Sequence, residues 1–380
     1  MKRIDWITTT FIVLYHVALA ITLPIYLYFF PFSVGLLIAS LVVAALTGLS
    51  ITAGYHRLFS HTTYKTNPII EFILLFFGSM STQGSALRWS HDHRLHHAFM
   101  DTDRDPYCIK DGFLHAHILW MFKKQPEIQD RVVADLKRNK LLVFQDKYYV
   151  PCLIVTNLIP ILLFGFLFHN FFGAIVLVWL VRLFLSHHST WFINSLAHYW
   201  GARTFCREQT AVDNYLISLL TFGEGYHNYH HKFAKDYRNG VRWYHFDPTK
   251  WLIWTLSRLG LARDLKTVSN ERIKAALITA EKARLLAALE SSPSGYRAAL
   301  TEKIEALSQE LTTAFEKIAR LGDSFRNAKK GGSLTQELKL KWQGEIQPLV
   351  QRLNEGRKSW KELRRLVESS VNNPMAIKSS

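Results

Sequence analysis

The chain has 380 residues, 49% hydrophobic and 13% aromatic, with 46 Lys and Arg against 30 Asp and Glu, a formal charge of +16. Such an excess fits the basic residues that gather on the cytoplasmic side of membrane proteins, and it also suits an anionic substrate, lipid headgroups or an acidic partner. No stacking or groove-reading module for nucleic acid is present. Cys108, Cys152 and Cys206 form no C-x-x-C, which excludes a disulfide framework and a zinc ribbon and fits a reducing compartment.

Residues 6–55 contain no Asp, Glu, Lys or Arg. At about 1.5 Å per residue that is enough for two crossings of a roughly 30 Å hydrocarbon layer. A cleavable signal peptide is excluded, because the apolar run after Lys2 and Arg3 is too long and lacks a small-residue cleavage pattern. Spans are expected at 6–28 and 33–54, turning near Phe30-Pro31. Lys2 and Arg3 place the N-terminus in the cytoplasm, so the chain returns there beside His56 and His61. The apolar stretch 72–87 is expected to be interfacial or re-entrant. A third crossing there would put His56 and His61 on the opposite side from the next histidines. A second charge-free run, 148–181, opens the second pair of spans, 149–168 and 171–193, turning at His169-Asn170. Arg182 then falls inside the fourth span and should face the bundle interior.

The expected fold is all-α: four transmembrane helices, with a cytosolic cap from 55–147 and 197–265. Residues 1–265 are read as one membrane domain. Residues 266–380 contain neither His nor Cys and show helical spacing, as in Leu300, Ile304, Leu307, Leu311 and Phe315. They are expected to form a basic extension of two or three amphipathic helices, broken at Ser291–Gly295 and Lys329–Ser333.

Chemistry concentrates in three histidine clusters. His93, His96 and His97 stand at i, i+3 and i+4, one face of a helix. His227, His230 and His231 repeat the spacing, and His56 and His61 add a pair five apart. All eight lie just beyond a span on one membrane side. Eight imidazoles exceed what one tetrahedral zinc can use, so two metals are implied. Imidazole suits Fe, Cu, Ni and Zn alike, so ligand type does not name the metal. Glu224-Gly225-Tyr226-His227 matches the E-x-x-H of di-iron bundles, but one copy cannot build such a site. Glu224 is instead placed to orient a ligand imidazole.

The motifs His56-Arg57-Leu58-Phe59-Ser60-His61, Asp92-His93-Arg94-Leu95-His96-His97 and His227-Asn228-Tyr229-His230-His231 resemble the three histidine boxes of membrane acyl-CoA desaturases of the Δ9, stearoyl-CoA type. Asn194-Ser195-Leu196-Ala197-His198 is similar to that family's N-S-x-A-H element, and the likeness runs from about Tyr55 to Leu261. It implies a di-iron centre held by His56, His61, His93, His96, His97, His198, His227, His230 and His231, with Asn194 reaching one iron through water. It also implies a kinked apolar tunnel, lined or bent by Gln83, Trp89, Thr190 and Trp191, and contacts to coenzyme A from Asp92, Lys123 and Lys124. The implied reaction uses O₂ to insert a cis double bond into a saturated acyl chain. His91 stands where animal members carry an arginine, and Phe233-Ala234-Lys235-Asp236-Tyr237 lacks the usual proline. The headgroup is thereby left open among coenzyme A, acyl-carrier protein and phospholipid.

The reaction needs two electrons, and the tail holds no motif for an iron–sulfur cluster or a haem, so a separate ferredoxin-, rubredoxin- or cytochrome b5-like donor is expected. A membrane hydroxylase or alkane monooxygenase is the alternative within redox chemistry, and the match at Asn194–His198 and 227–240 argues against it. A histidine-relay metal transporter would need ligands inside the spans. Among the remaining histidines, His188 is the one expected to support the site. The short segment before the first span suits a bacterial plasma membrane rather than endoplasmic reticulum, with the active site and both termini cytoplasmic.

Overall fold

A computed structural model describes residues 3–290 and 294–372. The principal helices are α1 (Trp6–Phe29), α2 (Val34–Ser60), α3 (Pro68–Ser79), α4 (Ala86–Phe99), α5 (Tyr149–Leu167) and α6 (Phe171–His198). They are followed by α7 (Tyr215–Leu220), α8 (His227–Lys232), α9 (Pro248–Arg258), α10 (Asn270–Glu290), α11 (Ser294–Lys330) and α12 (Gln336–Asn372). Among the described residues, α1, α2, α5 and α6 are the helices long and apolar enough to cross a membrane. Asp5 caps α1 by accepting from Thr8 N, and Ser33 caps α2 by accepting from Leu36 N.

Two spans overrun the limits that hydropathy suggests. The second continues six residues past 54 to Ser60, and the fourth five past 193 to His198. At about 1.5 Å per residue the 27 residues of α2 reach roughly 40 Å, beyond a layer of about 30 Å. Apolar composition marks where the membrane ends, whereas the backbone hydrogen bonds carry the helix on into the cap. The last turns of α2, Ser50–Ser60, widen to π-helix, whereas the overrun of α6 tightens to a 3-10 turn at Leu196–His198; a second π-helical stretch, Ala174–Val181, lies near the start of α6.

Close approach of the spans relies on small residues. A Cβ at Gly173 would fall 2.7 Å from Leu36 Cδ1 and 2.8 Å from the Tyr26 ring, so only glycine lets α1, α2 and α6 meet there. Ser40 Oγ donates to Leu177 O at 2.6 Å. Arg182 is fully buried, donating to Val178 O (3.0 Å), Met80 O (2.8 Å) and the Asn157 side chain. It thus ties α6 to α5 and to the end of α3, the interior position expected of an intramembrane charge.

The apolar stretch 72–87 does not form one element. α3 stops at Ser79 after 12 residues, about 18 Å and too short to cross. Thr82 (φ +55°) and Gly84 (φ +92°) then reverse the chain, and Ser85 caps α4 by accepting from Arg88 N. The reversal delivers the histidines of α4 beside the end of α2.

The chain divides into two compact units, one of residues up to Ala202 with Gln209–Thr267, the other of Arg203–Glu208 with the residues from Val268 onward. Lys266 belongs to the first, its N–H donating to Thr63 O and its carbonyl accepting from Tyr237 N. In the second unit, α10, α11 and α12 close over Leu285, Leu289, Leu300, Ile304, Leu311, Phe315, Leu353, Trp360 and Val367. α11 ends at Lys330, where Gly332 adopts φ +70°. Of the expected break at Ser291–Gly295, residues 291–293 lie outside the described residues.

Candidate metal centre

His56 and His61 would point about 140° apart on an α-helix of 3.6 residues per turn, but i→i+5 bonding brings residues five apart back toward one face. His61 N donates to His56 O at 3.1 Å, itself such a bond, and the two ring centroids stand 4.8 Å apart. α4 and α8 supply three histidines each at i, i+3 and i+4, and His198 closes the end of α6.

The nine histidines fall into two groups. His56, His61, His93, His97 and His230 converge in one, and His96, His198, His227 and His231 in the other, with the ring nitrogens of each group within 4.8 Å of one another. The two H-x-x-H-H motifs divide in opposite senses. In α4 the i, i+4 pair His93 and His97 joins the five, and His96 joins the four. In α8 the pair His227 and His231 joins the four, and His230 joins the five. Each helix therefore feeds both groups.

Hydrogen bonding fixes how these rings face. His96 Nδ1 donates to Asp105 Oδ1 at 2.9 Å, so in the neutral ring Nε2 carries a lone pair. Thr210 Oγ1 donates to Asp101 (2.6 Å) and accepts from His198 Nδ1 (2.9 Å), which leaves His198 Nε2 a lone pair as well. The Nε2 atoms then form a chain: His96 to His231 at 3.3 Å, His231 to His227 at 3.0 Å, His227 to His198 at 3.0 Å. Protons on both His231 and His227 would set N–H against N–H in the middle. Removing either proton sets lone pair against lone pair at an end. With all four rings neutral, no placement of protons satisfies all three contacts, whereas a cation between the nitrogens satisfies every one. The five-histidine group has the same inward focus: His61 Nε2 is 2.8 Å from His93 Nε2, and His230 Nε2 is 3.1 Å from His56 Nε2 and 3.0 Å from His97 Nε2.

Electrostatics agree with neutral donors. Burial, reinforced by neighbouring histidines, holds His61, His93, His97, His227, His230 and His231 well below the usual imidazole pKa. Carboxylates stand behind the rings. Glu224 Oε2 lies 2.9 Å from His56 Nδ1 and accepts from Asn239 Nδ2 at 2.6 Å. Its other oxygen accepts from Arg57 Nη2 at 2.9 Å, and the same nitrogen lies 3.0 Å from Asp247 Oδ1. Burial alone would raise the Glu224 carboxyl, but His56 and Arg57 outweigh it and hold it below its ordinary value.

A cavity beside both groups is lined by Ile51, Thr52, His56, Trp89, His93, His96, Thr190, Ile193, Asn194, Glu224 and His227. Trp89 stacks on His93 at 4.9 Å, and Gln83 Nε2 donates to Thr190 Oγ1 at 3.0 Å. Trp89, Thr190 and Asn194 thus reach the cavity, with Gln83 one bond behind. The other residues matched for substrate contact stand elsewhere. Trp191 is buried against His187 and His188. Asp92 is occupied by Arg88 and His91, and Lys123 and Lys124 are exposed at the surface.

His188 does not support the histidine groups. Its nitrogens meet His16 Nε2 and His117 Nε2, both at 3.1 Å, between α1 and the cap. The support comes from Asp105, Glu224 and the Thr210–Asp101 pair. The last of these carries no sequence signal, because Thr210 lies twelve residues from the histidine it orients.

Four membrane-length helices and two buried poly-histidine groups at their ends, backed by carboxylates, define a membrane protein with a site that could hold metal ions. Residues 8–263 match the model of the fatty acid desaturase family, and the chain belongs to that family. It is 39% identical to acyl-CoA desaturase 1 of Saccharomyces cerevisiae over 274 residues, 71% of this chain and 52% of that protein. With stearoyl-CoA desaturase of Capra hircus it shares 37% over 235 residues, 59% of this chain and 65% of that one. With sn-2 palmitoyl-lipid 9-desaturase of Nostoc it shares 36% over 277 residues, 70% of this chain and 92% of that one. The chain spans about half the length of the yeast relatives it matches.

Proposed function

We propose that the protein is an O₂-dependent fatty acyl desaturase that introduces a cis double bond, at the Δ9 position, into acyl-CoA. The observation that carries this reading is the four-histidine group, whose neutral rings no placement of protons can satisfy, beside a five-histidine group with the same inward focus. The names of the relatives supply the reaction class, acyl-CoA or lipid-linked acyl desaturation.

His56, His61, His93, His97 and His230 would hold one iron, and His96, His198, His227 and His231 the other. Asn194, on the cavity wall beside His96 and His227, would complete the smaller set through a water. Two irons in these positions, with O₂ and two electrons, supply an oxidant strong enough to remove hydrogen from adjacent unactivated methylenes, the balance being acyl chain, O₂, two electrons and two protons to unsaturated chain and two waters. The chain's own residues do the rest. Glu224, Asp105 and Thr210 hold the Nδ1 atoms of His56, His96 and His198, so that these three neutral rings present an Nε2 lone pair inward. Ile51, Ile193 and Trp89 give the cavity apolar walls that hold a methylene segment against the centre and exclude water. Gln83, through Thr190, fixes the opposite wall.

Asp92, Lys123, Lys124 and Trp191 remain assigned to the substrate, the lysines as exposed charges for the phosphates of coenzyme A. Electrons come from a separate acidic donor on the basic face. The site and both termini face the cytoplasm of a bacterial cell. The test is to supply purified protein with donor, O₂ and stearoyl-CoA and identify products by mass spectrometry. A mono-unsaturated chain is expected; hydroxylated product alone refutes the reading.

A further inference from the structure

Two short cap helices carry apolar faces that the described residues leave uncovered. On α9, Thr249 and Ile253 point inward, while Trp251, Trp254, Thr255 and Arg258 share the outer face at i, i+3, i+4 and i+7. Trp251 and Trp254 are 45% and 49% exposed, and Leu259 just beyond is 67% exposed. The Arg258 guanidinium lies over the Trp254 ring, 5.0 Å from its centroid. On α7, Ile217 and Ser218 are buried, whereas Tyr215, Leu216, Leu219 and Leu220 are exposed.

Depth identifies what these faces meet. A layer of about 30 Å takes up roughly twenty residues of α2 from Val34, so its boundary falls near residue 54. α9 joins α2 just inside that level, where Thr52 and Thr249 share a hydrogen bond of 2.7 Å and Thr249 Oγ1 donates to Phe222 O at 2.9 Å. Phe222, two residues past α7, sits against α2 so closely that a Cβ at Gly48 would fall 2.2 Å from its ring. α3 meets α2 at the same level, on Gly54 and Tyr55, with Ile69 and Phe72 exposed. Aromatic and leucine side chains at this depth, with an arginine beside them, match the chemistry of a headgroup layer.

We propose that α7 and α9 form a second membrane attachment, lying in the headgroup layer on the side that carries the histidines. Trp251 and Trp254 rest among the first methylenes of the lipid, and Arg258 reaches the phosphates. Thr52 also lines the cavity, so one hydrogen bond joins the anchor to the wall of the site.

The experiment uses the full chain in phosphatidylcholine nanodiscs, with and without bromine on the acyl carbons nearest the headgroup. Eleven tryptophans fluoresce in the wild type. Trp251→Phe/Trp254→Phe should remove a bromolipid-quenched amplitude of about two tryptophans and leave the iodide-quenched amplitude unchanged. Trp360→Phe, in the interior of the tail bundle, should change neither. An unchanged bromolipid amplitude in the double variant overturns the proposal. So does a loss of iodide quenching, which would mean that the face meets water or a protein partner.

Discussion

The membrane unit and the tail bury different kinds of side chain. Inside the first, Arg57, Arg182, Glu224 and Asp247 are almost completely enclosed, together with most of the histidines. The cluster at the centre of the second is leucine, isoleucine, valine, alanine, phenylalanine and tryptophan, and ion pairs of that unit, such as Arg272 with Asp323 at 2.6 Å, are about half exposed. Burying charge costs several kcal/mol per ion unless each is paired and hydrogen-bonded, and exposed pairs contribute at most about 1 kcal/mol. The membrane unit accepts that cost for Arg57, Glu224 and Asp247 behind the histidine groups and for Arg182 between the spans. The described residues of the tail close on an apolar cluster, with their ion pairs at its surface.

Four measurements probe this contrast. The largest effect is expected for His93→Ala, which removes a donor common to the convergent group: activity should be lost and both metals should leave together, as read by elemental analysis of purified protein. Retained metal, or zinc in place of iron, would break the assignment. Next, Arg57→Met leaves Glu224 and Asp247 facing each other without their cation, and denaturation in detergent should register a loss of about 3–5 kcal/mol.

A smaller effect follows from pH in chelated protein. Histidines held below their ordinary pKa stay neutral when folded, while the unfolded chain takes up protons as pH falls below about 6.5. Each such group then lowers stability by up to about 1.4 kcal/mol per unit, so melting should occur at lower temperature at pH 5.5 than at pH 7.5. Finally, deletion from Val268 onward should leave desaturation largely intact, with Lys266 retained because its backbone bonds to Thr63 and Tyr237. Complete loss of activity in well-folded protein would give the tail a role its composition does not suggest.

Much of this molecule was legible in the chain. Charge-free runs located the four spans, and parity of crossings placed all the clusters on one side. Hydropathy ended α2 and α6 too early because it reads solvent, whereas a helix is held by its own backbone bonds. The expectation for His188 failed for a related reason. Sequence alone does not say which way the ring points, and it turns toward His16 and His117.

By itself the sequence singled out the nine histidines that converge, because i, i+3 and i+4 spacing and the family motifs are local properties of the chain. How they divide between two centres was decided only in three dimensions. Residues at that spacing share one face, so nothing within α4 separates His96 from His93 and His97. The separation arises where α8 crosses and offers its own triplet in the opposite sense. The widened turns of α2 made the same kind of decision, since i→i+5 bonding, invisible in residue spacing, turns His61 back beside His56.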